Sequence, residues 1–323
     1  MKFCTGLPLA MCLRDAREGR PEAIGEIARG VEELGFWGVT VPHHVLHHGV
    51  GITGHEGAQT PQWRYPDPIA MLAYLAAVTR TIRLIPRVLV VPYRSPVELA
   101  HSLASVDSLS GGRLVFCPAV GGEPGEFARM GISRSQRGRI TDSSLDLVYR
   151  LWAGDSVTLE GATQAATLLV RPVQQPRPLV WVGGSSRAAL RRAVRIGDGW
   201  TPTCFPYPMI AGDRSCVSIS ELAEDVAWSR QEREALGKPP LDYVASSAPP
   251  LEILDRPRTH SEATEPLSYF SGRGNPDELR DEFQAFADVG ATSFVVNFWG
   301  ETPGEFLASA RIFAKEIMSA FVP

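Results

Sequence analysis

Eight short apolar runs, each followed by a segment able to coil as an amphipathic helix, recur along the chain. The runs are Leu7–Met11, Trp37–Pro42, Ile82–Val91, Arg113–Val120, Leu179–Gly184, Gly199–Thr203, Leu241–Ser247 and Thr292–Phe298. Helical patterns fall between them at roughly 22–34, 68–79, 96–109, 139–152, 186–196, 219–236, 276–289 and 303–320. In the first, Ile24, Ile27, Ala28, Val31 and Leu34 follow the spacing of one helix face. Eight strand–helix units describe an α/β protein of the (β/α)8 TIM barrel class, whereas a doubly wound open sheet gives no reason for the number eight.

The chain has 323 residues, too many for one small core, and carries no stretch of linker composition. We therefore expect residues 1–323 to form a single barrel domain. Two stretches break the rhythm, Gly161–Pro178 and Ala248–Gly274, and these are read as insertions after strands four and seven. The second is rich in Pro, Ser, Thr and Arg and sits where barrels carry loops over the active site, as a lid or as a disordered insertion.

Four helix starts are legible. Asp67-Pro68, Ser95-Pro96, Asn275-Pro276 and Thr302-Pro303 each set an N-cap residue before proline at the first helical position, and Glu98, Glu278 and Glu305 complete a capping-box pattern in the last three. Composition excludes other classes. A net charge of -4 without Lys/Arg runs argues against nucleic acid. The absence of a membrane-length apolar run and of a signal-like N-terminus points to a cytoplasmic protein without a membrane partner. Five scattered cysteines without CxxC spacing read as reduced thiols.

Four of the seven histidines fall within six residues, His43, His44, His47 and His48, where the second strand ends. Clustered imidazoles suit a metal, but neighbouring residues on a strand point to opposite faces, so a convergent ligand set is not expected. Solvated loop residues are the plain reading for His47 and His48. For His43 and His44, at a strand C-terminus, the favoured reading is a proton donor or acceptor in the barrel mouth. In the fifth unit, Gly183-Gly184-Ser185-Ser186 joins a strand to a helix N-terminus, a plausible anion cradle, although Gly-Ser turns also cap many helices that bind nothing. Asp107, Asp142, Asp198 and Arg113 lie at helix ends or turns and are read as structural.

The segment from Leu84 to Gly131 reads as strand, helix and strand, with both strand ends opening on one side of a parallel sheet. Its motifs belong to a longer ordered set: Glu32-Glu33-Leu34-Gly35-Phe36, His43-His44, Tyr65-Pro66-Asp67-Pro68, Pro92-Tyr93-Arg94-Ser95-Pro96 and Leu109-Ser110-Gly111-Gly112-Arg113-Leu114. Glu126-Phe127, Arg137-Gly138-Arg139, Trp181-Val182-Gly183-Gly184 and Gly197-Asp198-Gly199-Trp200 complete it. From about Pro21 to Pro202 the chain thus resembles the bacterial luciferase-like monooxygenase superfamily, within it the F420 (deazaflavin)-dependent oxidoreductase branch.

That resemblance implies a barrel, often homodimeric, that binds a reduced flavin or deazaflavin with the ring in its mouth and acts on a small organic substrate. His43-His44 matches the family's histidine at the end of strand two, which handles a proton around hydride transfer or supports the flavin peroxide in oxygenating members. Arg87-Val88 matches a bulge beneath the ring, normally begun by a small residue. Val120, Gly121 and Gly122, with Gly184, Ser185 and Ser186, match positions holding the ribityl and phosphate groups. Arg87 is large and charged, and Cys117-Pro118-Ala119-Val120-Gly121-Gly122 replaces two glycines of the family's Gly-x-Gly-x-Gly run. The expectation is F420-dependent hydride transfer. The alternatives are an FMN-dependent monooxygenase for hydroxylation or Baeyer–Villiger oxidation, and a barrel that has lost its cofactor and serves as a non-redox enzyme or binding subunit.

Overall fold

The structure, a computed structural model, describes residues 1–9, 21–46, 65–159, 161–204, 216–247, 250–259 and 269–321. Its strands in chain order are β1 (Lys2–Gly6), β2 (Gly38–Val41), β3 (Arg83–Pro86), β4 (Leu89–Val90), β5 (Val115–Phe116), β6 (Pro118–Ala119), β7 (Leu179–Gly183), β8 (Gly199–Thr201), β9 (Asp242–Ser246), β10 (Glu252–Ile253), β11 (Arg273–Gly274) and β12 (Ser293–Val296). Eight of them form a parallel sheet in the order β3-β2-β1-β12-β9-β8-β7-β5. A parallel bridge between Leu84 and Leu114 joins its two edges into a ring. Above that seam β4 pairs with β6, so β3/β4 and β5/β6 are the two halves of the third and fourth barrel strands. The expected (β/α)8 barrel is present.

Helices α1 (Pro21–Glu33), α2 (Pro68–Val78), α3 (Pro96–Ser110), α4 (Pro124–Arg129), α5 (Arg137–Ala153), α6 (Arg187–Ile196), α7 (Ile219–Ala235), α8 (Pro276–Asp288) and α9 (Pro303–Glu316) surround the ring. Strand alternation sorts the core into two parts. Residues pointing outward, such as Phe3, Val39, Leu84, Val180, Val182 and Phe294, pack against the helices. Residues pointing inward, Cys4, Ile85, Val115, Cys117, Trp181, Val244 and Val295, fill the barrel. Trp181 fits there because Gly199 is bare: a Cβ on Gly199 would lie 2.3 Å from its Cδ1.

The expected cap chemistry holds in part. Asp67 accepts from the N–H groups of Ile69 and Ala70, and Asn275 closes a full capping box with Glu278. Thr302 caps α9, but Glu305 turns back to the Glu301 N–H. Ser95 makes no cap hydrogen bond. The structural reading of the charged turn residues also holds. Arg113 donates to the carbonyls of Ser110, Ile82, Ala76 and Thr79, Asp142 pairs with Arg192 and Arg195, and Asp198 pairs with Arg177. Asp107, fully buried, accepts from the backbone of Val173 and Gln174 and so anchors the stretch after α5.

Three element boundaries differ from expectation. The first strand is Lys2–Gly6 rather than Leu7–Met11: Phe3 and Cys4 supply its two buried faces, and Pro8 has no N–H for a ladder. The third run is not continuous, because backbone pairing stops after Pro86 and resumes at Leu89, with Val91–Tyr93 coiling as a short 3-10 turn. The fourth splits likewise around Cys117. Within the long stretch after β9, β10 pairs with β11, and Arg258 bridges to Glu278 and Glu282 of α8.

Candidate active site

The C-terminal ends of the barrel strands form a polar mouth above an apolar interior. Thr40, Thr201, Ser246 and Asn297 follow the inward-facing residues of β2, β8, β9 and β12 by strand alternation. The Asn297 side chain lies across Gly6, where a Cβ would be 2.3 Å from its Oδ1, and its Nδ2 donates to the Ser247 carbonyl at 3.0 Å.

The break between β3 and β4 is the hub of this mouth. Arg87 turns inward, its Nε donating to Thr201 Oγ1 at 3.1 Å and its Nη2 to Ser246 Oγ at 2.7 Å. In the ring β9 stands opposite β3, so the side chain spans the barrel. Val88 lies against β7, where a Cβ on Gly183 would come within 2.5 Å of its Cγ1. Val90 donates its N–H to His43 Nδ1 at 3.0 Å and packs where a Cβ on Gly121 would come within 2.7 Å. Four residues between Arg87 and Val90 thus touch the ends of β2, β6, β7, β8 and β9.

His43 is buried, 5% exposed, with its ring edge-on to Tyr93. Burial, and secondarily the Arg94 guanidinium, push its pKa down to about 4. A neutral imidazole that accepts at Nδ1 carries its proton on Nε2, so His43 is held as a hydrogen-bond donor at neutral pH. His44 is more open. Its Nδ1 lies 3.5 Å from Glu126 Oε2 and its ring leans on Tyr65.

Glu126 organises this side of the mouth. Only 2% exposed, it accepts from the N–H groups of Val45 at 2.7 Å and Leu46 at 3.1 Å, and from the Tyr93 hydroxyl at 3.3 Å. Burial alone would raise its pKa, but the contact with His44 and the two backbone donors outweigh it and hold the carboxyl at about 2. The carboxylate therefore fixes the backbone just after His44 as well as the ring itself.

The remaining expected residues divide. Gly121 has φ +78 and Gly122 faces open space, with no atom within 4 Å of a Cβ there; Val120 beside them is half-buried. Gly184 has φ +116, and its N–H bonds to Thr201 O at 3.2 Å. Ser185 Oγ accepts from the Thr203 N–H and Ser186 Oγ caps α6 at the Ala189 N–H, so what the turn offers an anion is the helix's first-turn backbone. His43, Arg87, Val88 and Gly121 meet at the hub; Ser185 and Ser186 join it only through Gly184 and Thr201. His47 and His48 lie outside the described residues.

Sequence reasoning missed Glu126, Tyr93, Thr201 and Ser246. Glu126 reads locally as an acidic residue in the first turn of a proline-led helix, and its partner Val45 is 81 residues away. Thr201 and Ser246 did carry a signal, as hydroxyls at the C-terminal ends of apolar strand runs.

The model of the luciferase-like monooxygenase family matches residues 1–212, from β1 past the β8 end of the mouth. The chain belongs to this family. Its members are oxidoreductases that use a flavin or deazaflavin, and this chain is an oxidoreductase among them. It is 25% identical to the F420-dependent glucose-6-phosphate dehydrogenase of Nakamurella multipartita, with 91% of each chain covered. In fold it is similar to a monooxygenase from Streptomyces bottropensis, at a TM-score of 0.77 and 22% identity over 100% of both chains. It is likewise similar to the FMN-bound oxygenating constituent of a Baeyer–Villiger monooxygenase from Pseudomonas putida, at a TM-score of 0.73 and 15% identity over 98% of both.

Proposed function

We propose that the chain is an F420-dependent oxidoreductase that moves a hydride between the deazaflavin and a small organic substrate in the barrel mouth. The observation that carries the proton-handling part of this reading is the pair of histidines at one strand end, His43 buried and donor-locked, His44 backed by a buried carboxylate. The relative named for F420 dependence, aligned over 91% of both chains, supports the deazaflavin over a flavin.

The bound cofactor supplies the hydride acceptor or donor. Everything else falls to this chain. With Nδ1 of His44 facing Glu126, Nε2 is the atom that takes a proton from the substrate or returns it, and the buried carboxylate stabilises the imidazolium formed. His43 donates from Nε2 and orients an oxygen. Gly121, Gly122 and the first turn of α6 would hold the ribityl and phosphate groups, and the open space beside Gly122 suits that role. Arg87 and Val88 would lie beneath the ring, with Val120 at its side. Leu109, Leu169 and Val173, 70%, 97% and 51% exposed, would be covered in a homodimer.

Reduced FMN with oxygen, for hydroxylation or Baeyer–Villiger oxidation, is the second reading. It shares the ring and ribityl phosphate, and the same histidine pair would serve it. Titration of the purified protein with F420 and with FMN, followed by fluorescence, decides. Tight binding of F420 alone is expected, tight binding of FMN alone transfers the assignment to the second reading, and binding of neither rejects both.

A further inference from the structure

Among the described residues, the guanidinium of Arg87 is a cation inside the barrel without an anion. Its hydrogen bonds go to two neutral hydroxyls, on Thr201 and Ser246, and among the described residues it has no Asp or Glu partner. The titratable neighbours it does have are weakly acidic thiols, and burial pushes Cys4 and Cys117 up to about 12, so neither carries a compensating charge at neutral pH. Burial also lowers the pKa of Arg87 itself, yet a guanidinium stays protonated at neutral pH. Nη1 bonds to no described residue. A half-buried cation with neutral partners keeps an uncompensated desolvation cost until a negative group arrives.

Two further features aim this charge. Thr201 and Ser246 accept from Arg87, which leaves their own O–H groups as donors; that of Ser246 has a long 3.4 Å bond to Pro202 O. Both sit buried at strand C-terminal ends, so the polar groups lie on the mouth side of the guanidinium while the side below is apolar. Nε and one Nη2 hydrogen are taken by the hydroxyls, so the Nη1–Nη2 edge of a planar fork remains on a partly exposed side chain, suited to an sp2 oxyanion.

We propose that Arg87, with Thr201 and Ser246, forms an anion subsite in the barrel floor that takes a planar, delocalised oxyanion: a carboxylate, enolate or phenolate of the substrate, or the anionic end of the reduced cofactor ring. This rests on the reading of the mouth as the active site and adds a charge requirement to it. A substrate selected by this floor is an acid or becomes one during reaction, and neutral isosteres are rejected.

The test uses benzoate and acetate, with benzamide and acetamide as neutral controls, at fixed ionic strength on the cofactor-free protein and on Arg87→Met. Thermal melting and intrinsic tryptophan fluorescence report binding. The wild type is expected to bind benzoate at least tenfold more tightly than benzamide, and Arg87→Met to lose that preference while melting at the same temperature as the wild type or higher. A second arm compares the dissociation constants of the oxidised and reduced cofactors. A preference for the reduced form that Arg87→Met abolishes, without benzoate binding, assigns the anion to the ring. If neither anion is favoured, or if Arg87→Met changes neither preference, the subsite does not exist. Should benzoate bind through Arg87 while F420 and FMN both fail to bind, the subsite stands and the cofactor assignment falls.

Discussion

The two ends of the barrel interior are built from the same strands and differ in whether their charges are answered. At the base, Lys2 pairs with Asp242 at 3.2 Å and stands over Trp37, which Arg83 also approaches at 5.8 Å. Trp37 stacks on Trp181 at 5.1 Å, and above them Val244 and Val295 complete a dry layer. At the mouth, Arg87 has hydroxyl partners alone among the described residues, His43 offers a donor, and Gly122 opens onto empty space. At the base the Lys2 cation meets a carboxylate, and at the mouth, among the described residues, the Arg87 cation meets hydroxyls. On the proposed reading of the mouth as the active site, the base serves stability and the mouth serves function, as strand C-terminal ends do in barrels.

Substitutions at the two ends should therefore separate stability from activity. Trp181→Ala at the base is expected to cost about 4 kcal/mol of stability by leaving a cavity, measured by chemical denaturation. A loss below ~1 kcal/mol would erase the contrast. Glu126→Ala, on the mouth side but buried, should cost about 3 kcal/mol, because two backbone donors and a tyrosine hydroxyl lose their acceptor. Glu126→Gln should recover most of that stability yet leave turnover depressed, which separates its effect on His44 from its role as an anchor.

The pH dependence carries a smaller effect. His43 is depressed to about 4 from an ordinary 6.5, so between these values the unfolded chain binds the proton and the folded chain does not. Stability from this residue is full above about 6.5 and declines as pH falls toward 4, by an amount on the order of 2 kcal/mol. His43→Asn, which keeps an acceptor near the Val90 N–H, should flatten that slope; an unchanged slope would place the titration elsewhere. His44→Ala should move stability least, under ~1 kcal/mol, while lowering turnover by about 10²–10⁴-fold. Wild-type kinetics in that variant would remove His44 from proton transfer.

Much of the fold was legible because it depends on local regularity. Helix starts at Asp67, Asn275 and Thr302, the Gly111-Gly112 turn and seven of the eight apolar runs are short-range statements, and the structure contains them. The first strand misled because Leu7 and Leu9 are buried without being in the ladder, and burial is what apolar runs report. In the candidate site, the histidine pair could be singled out from its position at a strand end. Glu126 was not, since an acidic residue in a helix's first turn is explained before any long-range contact is considered.

Arg87 shows where sequence stops. Its identity determined that a cation, rather than a small residue, stands at the β3–β4 break, and order along the chain determined the barrel and the family. Only the tertiary structure decided that the side chain runs inward, finds hydroxyls on β8 and β9 and meets no carboxylate among the described residues. Local propensities set each strand and helix, but whether a charge is paired depends on side chains brought together from residues 87, 201 and 246, and closure of the ring is what makes them neighbours.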